Sequence, residues 1–259
     1  MRIMHENLNN DITIIIKTFK RYSVLIECFI SIRKLYPKIK IIILNDDEKP
    51  ITNKDFDEYT KIINTEFDIG LSEGRNRLIE QVETKYFLLL DDDSIFINEE
   101  ETNLEIFYNI LENTDLTIIG GMVDLRYGYH IIEEKGKGRI FFENGYKSIN
   151  TKYNYKVVDS VLNFFLAKTE EFRKYDIKWD PILKVAEHNM FFYKIWRDLK
   201  NIKIGFTDKV RIKQSINKRR SEEYCKFRNR AVDILTENLH RYGITYLKAI
   251  SGGEFKPKK

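Results

Sequence analysis

Short apolar runs alternate with amphipathic segments through the first half of the chain. Runs rich in isoleucine and bounded by polar residues are typical of buried strands, whereas apolar residues at helical spacing are typical of packed helices. Strands are predicted at "DITIIIKTF", "KIKIIILNDD", "EYTKIINTE", "KYFLLLDDD" and "LTIIGGMVDLRY". Helices are predicted at "YSVLIECFISIRKLYP", "SEGRNRLIEQVE" and "NEEETNLEIFYNILENT". This alternation predicts an α/β fold with a mostly parallel central sheet flanked by helices.

The second half of the chain is less regular. Short β-like pieces with glycines and many tyrosines predict a smaller mixed β region from about residue 122 to about residue 160. Beyond it, "VVDSVLNFFLAK" predicts a strand, "AEHNMFFYKIWRDLK" a helix and "IKIGFTDKVRIK" a hairpin. "SEEYCKFRNRAVDILTENLHRYG" predicts a C-terminal amphipathic helix that ends at Gly243, because glycine favours the left-handed conformation found after many helices.

Composition and charge exclude several classes of protein. The 259 residues carry a net charge of +4, and the two cysteines, Cys28 and Cys225, lie far apart and outside any metal-binding spacing. The apolar run at residues 12–16 is too short for a membrane span or a signal sequence. We therefore expect a cytoplasmic protein with reduced cysteines.

Positive charge is concentrated near the C-terminus, in "KVRIKQSINKRR" and "FKPKK". Such a region can contact phosphates or the inner face of an anionic membrane, or it can be a solvated helix face followed by a loose terminus. It lacks the regular interleaving of basic and aromatic residues that is typical of nucleic-acid-binding surfaces. No nucleic-acid partner is therefore expected.

Polar side chains follow three of the predicted strands. They are Thr18 after the first strand, Asn45, Asp46 and Asp47 after the second, and Asp91, Asp92 and Asp93 after the fourth. In a parallel sheet, ligands bind beyond the carboxyl ends of the strands. Because side chains alternate along a strand, Asp91 and Asp93 are predicted to point the same way and Asp92 the opposite way.

The paired aspartates predict a metal site. Two neighbouring carboxylates repel each other unless a cation lies between them, and carboxylate oxygens favour Mg²⁺, Mn²⁺ or Ca²⁺. Magnesium and manganese commonly bind few protein ligands and complete their shell with water and substrate phosphates. Asp91 and Asp93 are therefore the predicted ligands of a metal that also binds a phosphorylated molecule.

A helix start between the third and fourth strands points to the same kind of ligand. The segment "DIGLSEGRNRLIEQV" places Gly70 and Gly74 around this start, with Ser72 as the predicted N-cap and Arg75 close behind it. Backbone amides and a guanidinium in such a position can bind a diphosphate. The alternative is a turn and a surface helix on which Arg75 and Arg77 are solvated.

The order and spacing of these segments resemble a known family. The segments are "TIIIKTFKR", "IIILNDDEKP", "GLSEGRNRLIEQVETKYFLLLDDD", "IIGGMV", "VLNFFLAKTEEFRKYDIKWDPIL" and "VAEHNMFF". They resemble the family-2-like glycosyltransferases of the GT-A fold, and most closely the β-1,4-N-acetylgalactosaminyltransferase group that includes the ganglioside GM2/GD2 synthase. The chain has no repeat or linker, so one domain over residues 1–259 is the simplest interpretation. The resemblance divides it into a Rossmann-like nucleotide-binding half at about 11–121, an acceptor and donor-sugar half at about 122–215, and a helical tail at 216–259.

The resemblance implies an inverting transfer from a UDP-sugar donor to a glycan or lipid-linked acceptor, with Mn²⁺ or Mg²⁺ as cofactor. GalNAc is the donor sugar of the resembled group, and GlcNAc, Gal and Glc stay open. The animal members carry a membrane anchor, and none is expected in this chain, which implies a microbial enzyme with surface polysaccharide synthesis as the expected setting.

The resemblance also implies roles for particular positions. By this resemblance, Thr18 and either Asp46 or Asp47 would bind the uridine, and Arg75, Asn76 and Asp92 would bind the nucleotide. Asp91 would bind the ribose or sugar, and Asp93 would bind the metal together with Asp91. The residues that would line the donor-sugar and acceptor region are Gly120, Gly121 and Asn163. A histidine that often completes the metal site late in such domains would fall near Gln214, where none is present.

An inverting transfer needs a base that takes the proton of the acceptor hydroxyl. Glu187 is the first candidate and His188 the second, in "AEHNMFF", where the resembled group has a histidine followed by an acid before its paired phenylalanines. The alternative for Glu187 is an acid in the first turn that only stabilises its helix. The alternative for His188 is a histidine whose hydrogen bonds are already satisfied. Trp179, in "WDP", offers an aromatic face to a sugar or else belongs to the core.

Two other functions are compatible with the sequence. A nucleotidyltransferase that makes nucleotide-sugars would require glycines and basic residues after the first strand, and "KTFKR" lacks the glycines. A catalytically silent module that only binds a sugar or nucleotide would not release UDP from any donor. Lys218, Arg219 and Arg220 either close over the diphosphate, contact a phosphorylated lipid acceptor or form a solvated patch.

Overall fold

The computed structural model describes residues 2–125, 128–217 and 222–258. The α-helices are α1 (Arg2–Asp11), α2 (Tyr22–Leu35), α3 (Leu71–Glu80), α4 (Leu104–Glu112), α5 (Thr169–Lys174), α6 (Glu187–Asp198), α7 (Glu222–Arg228) and α8 (Ala231–Asn238). The strands are β1 (Ile12–Thr18), β2 (Lys40–Asn45), β3 (Thr60–Asn64), β4 (Tyr86–Asp91), β5 (Ser94–Phe96), β6 (Ile118–Val123), β7 (Tyr129–Glu134), β8 (Arg139–Asn144), β9 (Ser148–Asn150), β10 (Tyr155–Val158), β11 (Ser160–Val161), β12 (Phe164–Lys168), β13 (Ile204–Gln214), β14 (Tyr246–Lys248) and β15 (Glu254–Phe255). Short 3₁₀ turns lie at Asn53–Asp55 and Leu239–Tyr242.

The strands form two sheets, as the α/β prediction with a smaller β region requires. The larger sheet has the order β3-β2-β1-β4-β12-β6-β13-β10-β9, and β5 pairs with β13. Its first four strands are parallel, whereas β12 is antiparallel to both β4 and β6. The smaller sheet has the order β11-β7-β8-β14-β15, so the C-terminal segment returns to the body of the protein.

The central strands are buried on both faces, which explains why their sequences are continuously apolar rather than alternating. Every residue of β1 is buried. Ile15 packs in one core cluster with Leu78 of α3, and Ile14 packs in a second cluster with Leu25 of α2. The two clusters therefore lie on opposite faces of the large sheet.

Strand directions bring distant parts of the sequence to one edge of this sheet. β1, β2 and β4 end there because they run parallel. β12 starts at the same edge because it is antiparallel to β4, with Phe164 opposite Leu90. The residue before β12, Asn163, is consequently brought beside Asp91, which ends β4.

Some predicted boundaries were wrong at helix starts. Gly70, not Ser72, caps α3, with φ +93° and a neighbouring Lys184 that leaves no room for a Cβ. Ser72 lies inside the helix and donates to the carbonyl oxygen of Leu183 at 2.8 Å. The acidic run at 99–101 lies before α4, because Asn103 caps that helix by accepting from the amide of Glu105.

Three segments in the second half also differ from their predictions. The predicted hairpin at residues 202–213 is one strand, β13, because residues on both sides of a bulge pair with β6. The single strand predicted at 157–168 is divided among β10, β11 and β12. The predicted terminal helix is broken into α7 and α8, although Gly243 follows the helical region with φ +71°, as expected.

Two further features of the described residues concern the cysteines and the lengths of the helices. Cys28 and Cys225 are both free thiols in the structure. No helix in the described part of the chain is long and apolar enough to cross a bilayer.

Candidate active site

A cavity of about 400 Å³ lies at the edge where β4 ends and β12 begins. One wall carries Asp91, Asp92 and Asp93 together with Asn163, and another is the first turn of α6 with Glu187 and His188. The C-terminal segment forms a further wall, through α7, α8 and the turn between β14 and β15. The cavity is therefore built from residues at both ends of the chain.

Each of the three aspartates has a cationic partner, and these partners offset the mutual repulsion of the carboxylates. Arg75 donates to Asp91 Oδ1 at 2.9 Å. Asp92 accepts from Thr18 Oγ1 at 2.8 Å and from Arg21 Nη2, and Arg21 Nη1 lies 3.3 Å from Asp93 Oδ2. β4 ends at Asp91, so the predicted strand alternation does not extend through the next two residues. All three aspartates line the cavity, and Arg21 contacts both Asp92 and Asp93.

Asp92 is the most deeply buried of the three, at 2% exposure. Burial raises the pKa of its carboxyl to about 6, against the lowering effects of Arg21 and of the Thr18 hydrogen bond. Its side chain joins the end of β4 to Thr18 at the end of β1 and to Arg21.

We expect the Asp92→Asn variant to gain stability relative to wild type as pH rises. The folded-state pKa of Asp92 lies above the unfolded value of 3.8, so its contribution is complete below that value and is lost as pH rises through about 6. The difference in unfolding free energy should shift by about 1–3 kcal/mol between about pH 4 and about pH 7. Urea unfolding across that range measures it, and parallel pH profiles for the two proteins would contradict the burial argument.

Arg75 links the aspartates to α6. Its guanidinium is 1% exposed and donates to Glu187 Oε1 at 2.5 Å as well as to Asp91. Burial alone would lower the pKa of Arg75, but the carboxylates of Glu187 and Asp91 raise it above its ordinary value. Arg75 is thus neither solvated nor unpaired, and it fixes two cavity carboxylates at once.

Asn163 and His188 form a second link to Asp91. The amide nitrogen of Asn163 lies 3.3 Å from both Asp91 oxygens, and its amide oxygen lies 2.8 Å from His188 Nδ1. A carboxylate only accepts, so Asn163 presents its oxygen to His188, and Nδ1 carries the proton. Burial lowers the pKa of His188 to about 4, which keeps the ring neutral near pH 7.

A second cavity of about 400 Å³ adjoins the first on the side of β2. Thr18, Asn45 and Asp47 line it, as expected for residues at or just beyond the ends of β1 and β2. Asp46 lies behind this wall instead, where it pairs with Lys17 Nζ at 2.5 Å and accepts from the Gly70 amide at 3.1 Å. Of the two aspartates predicted for the uridine, the geometry therefore favours Asp47.

Besides Asp46, four of the predicted site residues line neither cavity. Asn76 exchanges hydrogen bonds with the backbone of Trp179, at 2.9 and 3.0 Å. Trp179 belongs to the core and stacks on Phe191, with ring centroids 4.0 Å apart. Gly120 and Gly121 lie within β6, where a Cβ would come within 2.5 Å of Val161 and of the Val210 carbonyl oxygen respectively. These glycines allow close strand packing.

Comparison with known proteins decides the family. The model of the family described as glycosyl transferase family 2 matches residues 13–176, which include the ends of β1, β2 and β4. The chain belongs to glycosyl transferase family 2. The predicted resemblance is thereby confirmed.

Its curated relatives are N-acetylgalactosaminyltransferases by name. This family 2 chain is 34% identical over 189 residues to mouse β-1,4 N-acetylgalactosaminyltransferase 2, covering 71% of the chain and 36% of the relative. It is 30% identical over 241 residues to mouse β-1,4 N-acetylgalactosaminyltransferase 1, covering 86% and 44%. The chain thus spans less than half the length of these relatives.

Solved structures share the fold of this family 2 chain. The crystal structure of GalNAc-T7 with UDP, GalNAc and Mn²⁺ superposes with a TM-score of 0.62 at 17% identity, over 92% of this chain and 50% of that one. Staphylococcus aureus TarS 1–349 superposes with a TM-score of 0.54 at 15% identity, over 89% and 72%. The fold is GT-A.

The cavity fits a divalent cation only in part. Among the described residues, no three His, Cys, Asp or Glu side chains converge into a group that could hold a metal alone. Asp91 and Asp93 both line the cavity, and their hard oxygens suit Mn²⁺ or Mg²⁺ when substrate phosphates supply further ligands. Gln214, near the position where no histidine is present, lines the same cavity from the end of β13. The residues therefore fit a metal held jointly with a diphosphate.

The sequence pattern of this family 2 chain did not identify several of the residues that line the cavity. They are Lys17, Arg21, Tyr224 and Arg228. The signal for Arg21 was its position in the short segment after β1, in "KTFKR". Tyr224 and Arg228 gave no local signal, because "EEYCKFRNR" resembles a solvated charged helix, and only the fold carries α7 to the cavity.

The C-terminal segment is held over the cavity by contacts with the strand ends. Lys20 Nζ lies 2.7 Å from Glu223, and the rings of Phe19 and Phe227 are 5.0 Å apart. Arg230 makes two hydrogen bonds to Asp68, at 2.8 and 2.9 Å. Of the two alternatives for this region, a loose terminus therefore does not describe residues 222–258, which also contribute β14 and β15 to the smaller sheet. Lys218, Arg219 and Arg220 lie outside the described residues.

Proposed function

We propose that the chain is an inverting, metal-dependent glycosyltransferase that moves a sugar from a UDP-sugar to a hydroxyl of a glycan or lipid-linked acceptor. GalNAc is the first choice of sugar, because the named relatives are N-acetylgalactosaminyltransferases, and GlcNAc, Gal and Glc are to be compared with it. The observation that carries the proposal is the shared cavity that joins Asp91 and Asp93 to Glu187 and Asn163.

The donor would occupy both cavities. Thr18 and Asp47 suit the nucleoside in the cavity beside β2, and the diphosphate would lie near Asp91 and Asp93. A metal bound there would offset the charge that develops on the leaving diphosphate. Arg228 lines the same cavity and makes no hydrogen bond or ion pair with another described residue, so its guanidinium is free to bind a phosphate.

Glu187 is the proposed base. Arg75 holds its Oε1, and no described residue bonds Oε2, so that oxygen is free to take the acceptor proton. As the acceptor oxygen bonds to the anomeric carbon, the bond from that carbon to the diphosphate breaks, and UDP leaves with the bonding electrons. His188, fixed by Asn163, would orient the acceptor.

The setting of the reaction is also a proposal. We propose synthesis of a microbial surface polysaccharide by one GT-A domain, in the cytoplasm or at the inner face of the membrane. Support for contact with a lipid-linked acceptor comes from apolar residues of the C-terminal wall, including Leu235, Ile250 and Phe255.

A UDP-release screen tests the proposal. Wild type is expected to release UDP from at least one of UDP-GalNAc, UDP-GlcNAc, UDP-Gal and UDP-Glc when Mn²⁺ and an acceptor are present. Asp93→Ala should lower the rate about 100-fold, since a metal is typically worth several kcal/mol of transition-state stabilisation. Asp115→Ala is the matched control, because Asp115 is exposed and pairs with Lys203 away from the cavity. Release from no donor, or full activity of Asp93→Ala, would refute the proposal.

A further inference from the structure

We propose that Arg21 is a displaceable counter-ion that occupies Asp93 until metal and diphosphate bind, and then donates to the diphosphate. The inference rests on the proposed function, because it concerns the approach of the metal and nucleotide to the same carboxylates. It gives a role to a residue in the short link between β1 and α2, directly before the first residue of α2.

The contacts of Arg21 divide its guanidinium into two halves. Nη2 pairs with Asp92, which is buried and is not a proposed metal ligand. Nη1 lies 3.3 Å from Asp93 Oδ2, a longer contact than the 2.9 Å between Arg75 and Asp91. One half is therefore anchored, while the other makes a long contact that is easily broken.

The long contact conflicts with a metal on Asp93. A divalent cation bound to Asp93 would lie close to the guanidinium that contacts Oδ2 of the same carboxylate, and two cations at that distance repel each other. Nη1 must therefore leave Asp93 when the metal binds. Asp92 keeps the guanidinium nearby, so the movement is a local swing rather than a change of fold.

The released half has a suitable destination. Arg21 lies on the walls of both cavities, at the junction between the strand end with Asp93 and the cavity with Thr18 and Asp47. A diphosphate that runs between the cavities would pass this side chain. The planar guanidinium, whose carbon lies 4.9 Å from the ring centroid of Tyr224, is well suited to phosphate oxygens.

This arrangement couples metal and nucleotide binding. If Arg21 occupies Asp93 in about nine of ten free molecules, the apparent Kd for the metal is weakened about tenfold. UDP would draw Arg21 away and remove that penalty. By linkage, the metal and UDP then favour each other more strongly in wild type than in a protein without Arg21.

Titrations of Mn²⁺, followed by electron paramagnetic resonance, test this coupling without an activity assay. Without nucleotide, Arg21→Gln is expected to bind Mn²⁺ about tenfold more tightly than wild type. Arg21→Lys should fall between them, because a single ammonium cannot bridge Asp92 and Asp93 as the guanidinium does. With saturating UDP, the order should reverse, and wild type should bind Mn²⁺ more tightly than Arg21→Gln.

Arg228→Gln is the matched control. It removes the same charge from the same cavity, but from a side chain with no ion pair to another described residue. Its Mn²⁺ affinity without UDP should change less than about threefold, since only long-range charge is lost. Equal tightening in the Arg21 and Arg228 variants would overturn the proposal, as would identical Mn²⁺ affinity in wild type and Arg21→Gln.

The outcomes separate this proposal from the proposed function. Binding of Mn²⁺ to no variant, with or without UDP, would overturn the metal dependence itself. Binding that does not depend on Arg21 would overturn only the counter-ion role. Circular dichroism establishes that each variant is folded, and Arg21→Lys carries the comparison if Arg21→Gln does not fold.

Discussion

Replacing Glu187 with glutamine is expected to lower kcat by about 10²- to 10⁴-fold, the usual contribution of a general base. Glutamine keeps the size of the side chain, and its amide oxygen can still accept from Arg75, but it cannot take a proton. The donor KM should change little, because Glu187 is proposed to act on the acceptor. UDP release with saturating acceptor measures the effect.

The control for this prediction addresses the alternative that Glu187 merely stabilises its helix. Glu170 lies in the first turn of α5 and is exposed, so Glu170→Gln removes a comparable helix-terminal charge away from the cavity. It should leave kcat unchanged. If Glu187→Gln retains full transfer, Glu187 is not the base. If it loses stability without losing kcat, its role is structural.

Replacing Arg75 with methionine is expected to reduce the free energy of unfolding by about 3–5 kcal/mol. Arg75 is buried between Asp91 and Glu187, and its removal leaves these carboxylates without their shared cation. Activity should also be lost, because both carboxylates line the cavity. Urea or thermal unfolding measures the stability change.

Arg77 provides a matched control on the same helix. It pairs with Glu66 and Glu73 at 2.8 and 2.7 Å, but its side chain is 37% exposed. Exposed ion pairs contribute little, so Arg77→Met should unfold almost as wild type does. Adding Glu187→Gln to Arg75→Met should restore part of the lost stability, because one unpaired carboxylate is removed. Similar stability of the two arginine variants would contradict the conclusion that buried Arg75 stabilises the fold by pairing with Asp91 and Glu187.

Much of the fold was predictable from local patterns. Continuous apolar runs identified β1, β2 and β4, and these strands occur within a few residues of their predicted limits. Boundaries that depend on tertiary contacts were less predictable. Gly70 rather than Ser72 caps α3 because the chain at Lys184 packs against this turn, and that neighbour is over a hundred residues away in sequence.

The candidate site likewise contains features that the sequence predicted and features that depend on tertiary contacts. The sequence pattern indicated that Asp91 and Asp93 share one edge, because they follow a buried strand. It did not indicate that Arg75 is buried between two carboxylates, since one of them, Glu187, is 112 residues away. Likewise, the sequence did not decide whether Trp179 lies in the core or faces a sugar, because its place in the core depends on stacking against Phe191 of α6.

By itself, the sequence determined the alternation of strands and helices and the clustering of Thr18, Asp47 and Asp91 at strand ends. These features follow from side-chain periodicity and from the common direction of parallel strands. Only the tertiary structure decided which charges meet, because the antiparallel β12 carries Asn163 to Asp91 and the returning C-terminal segment carries Arg228 to the cavity. Such contacts join residues far apart in sequence, and no local pattern records them.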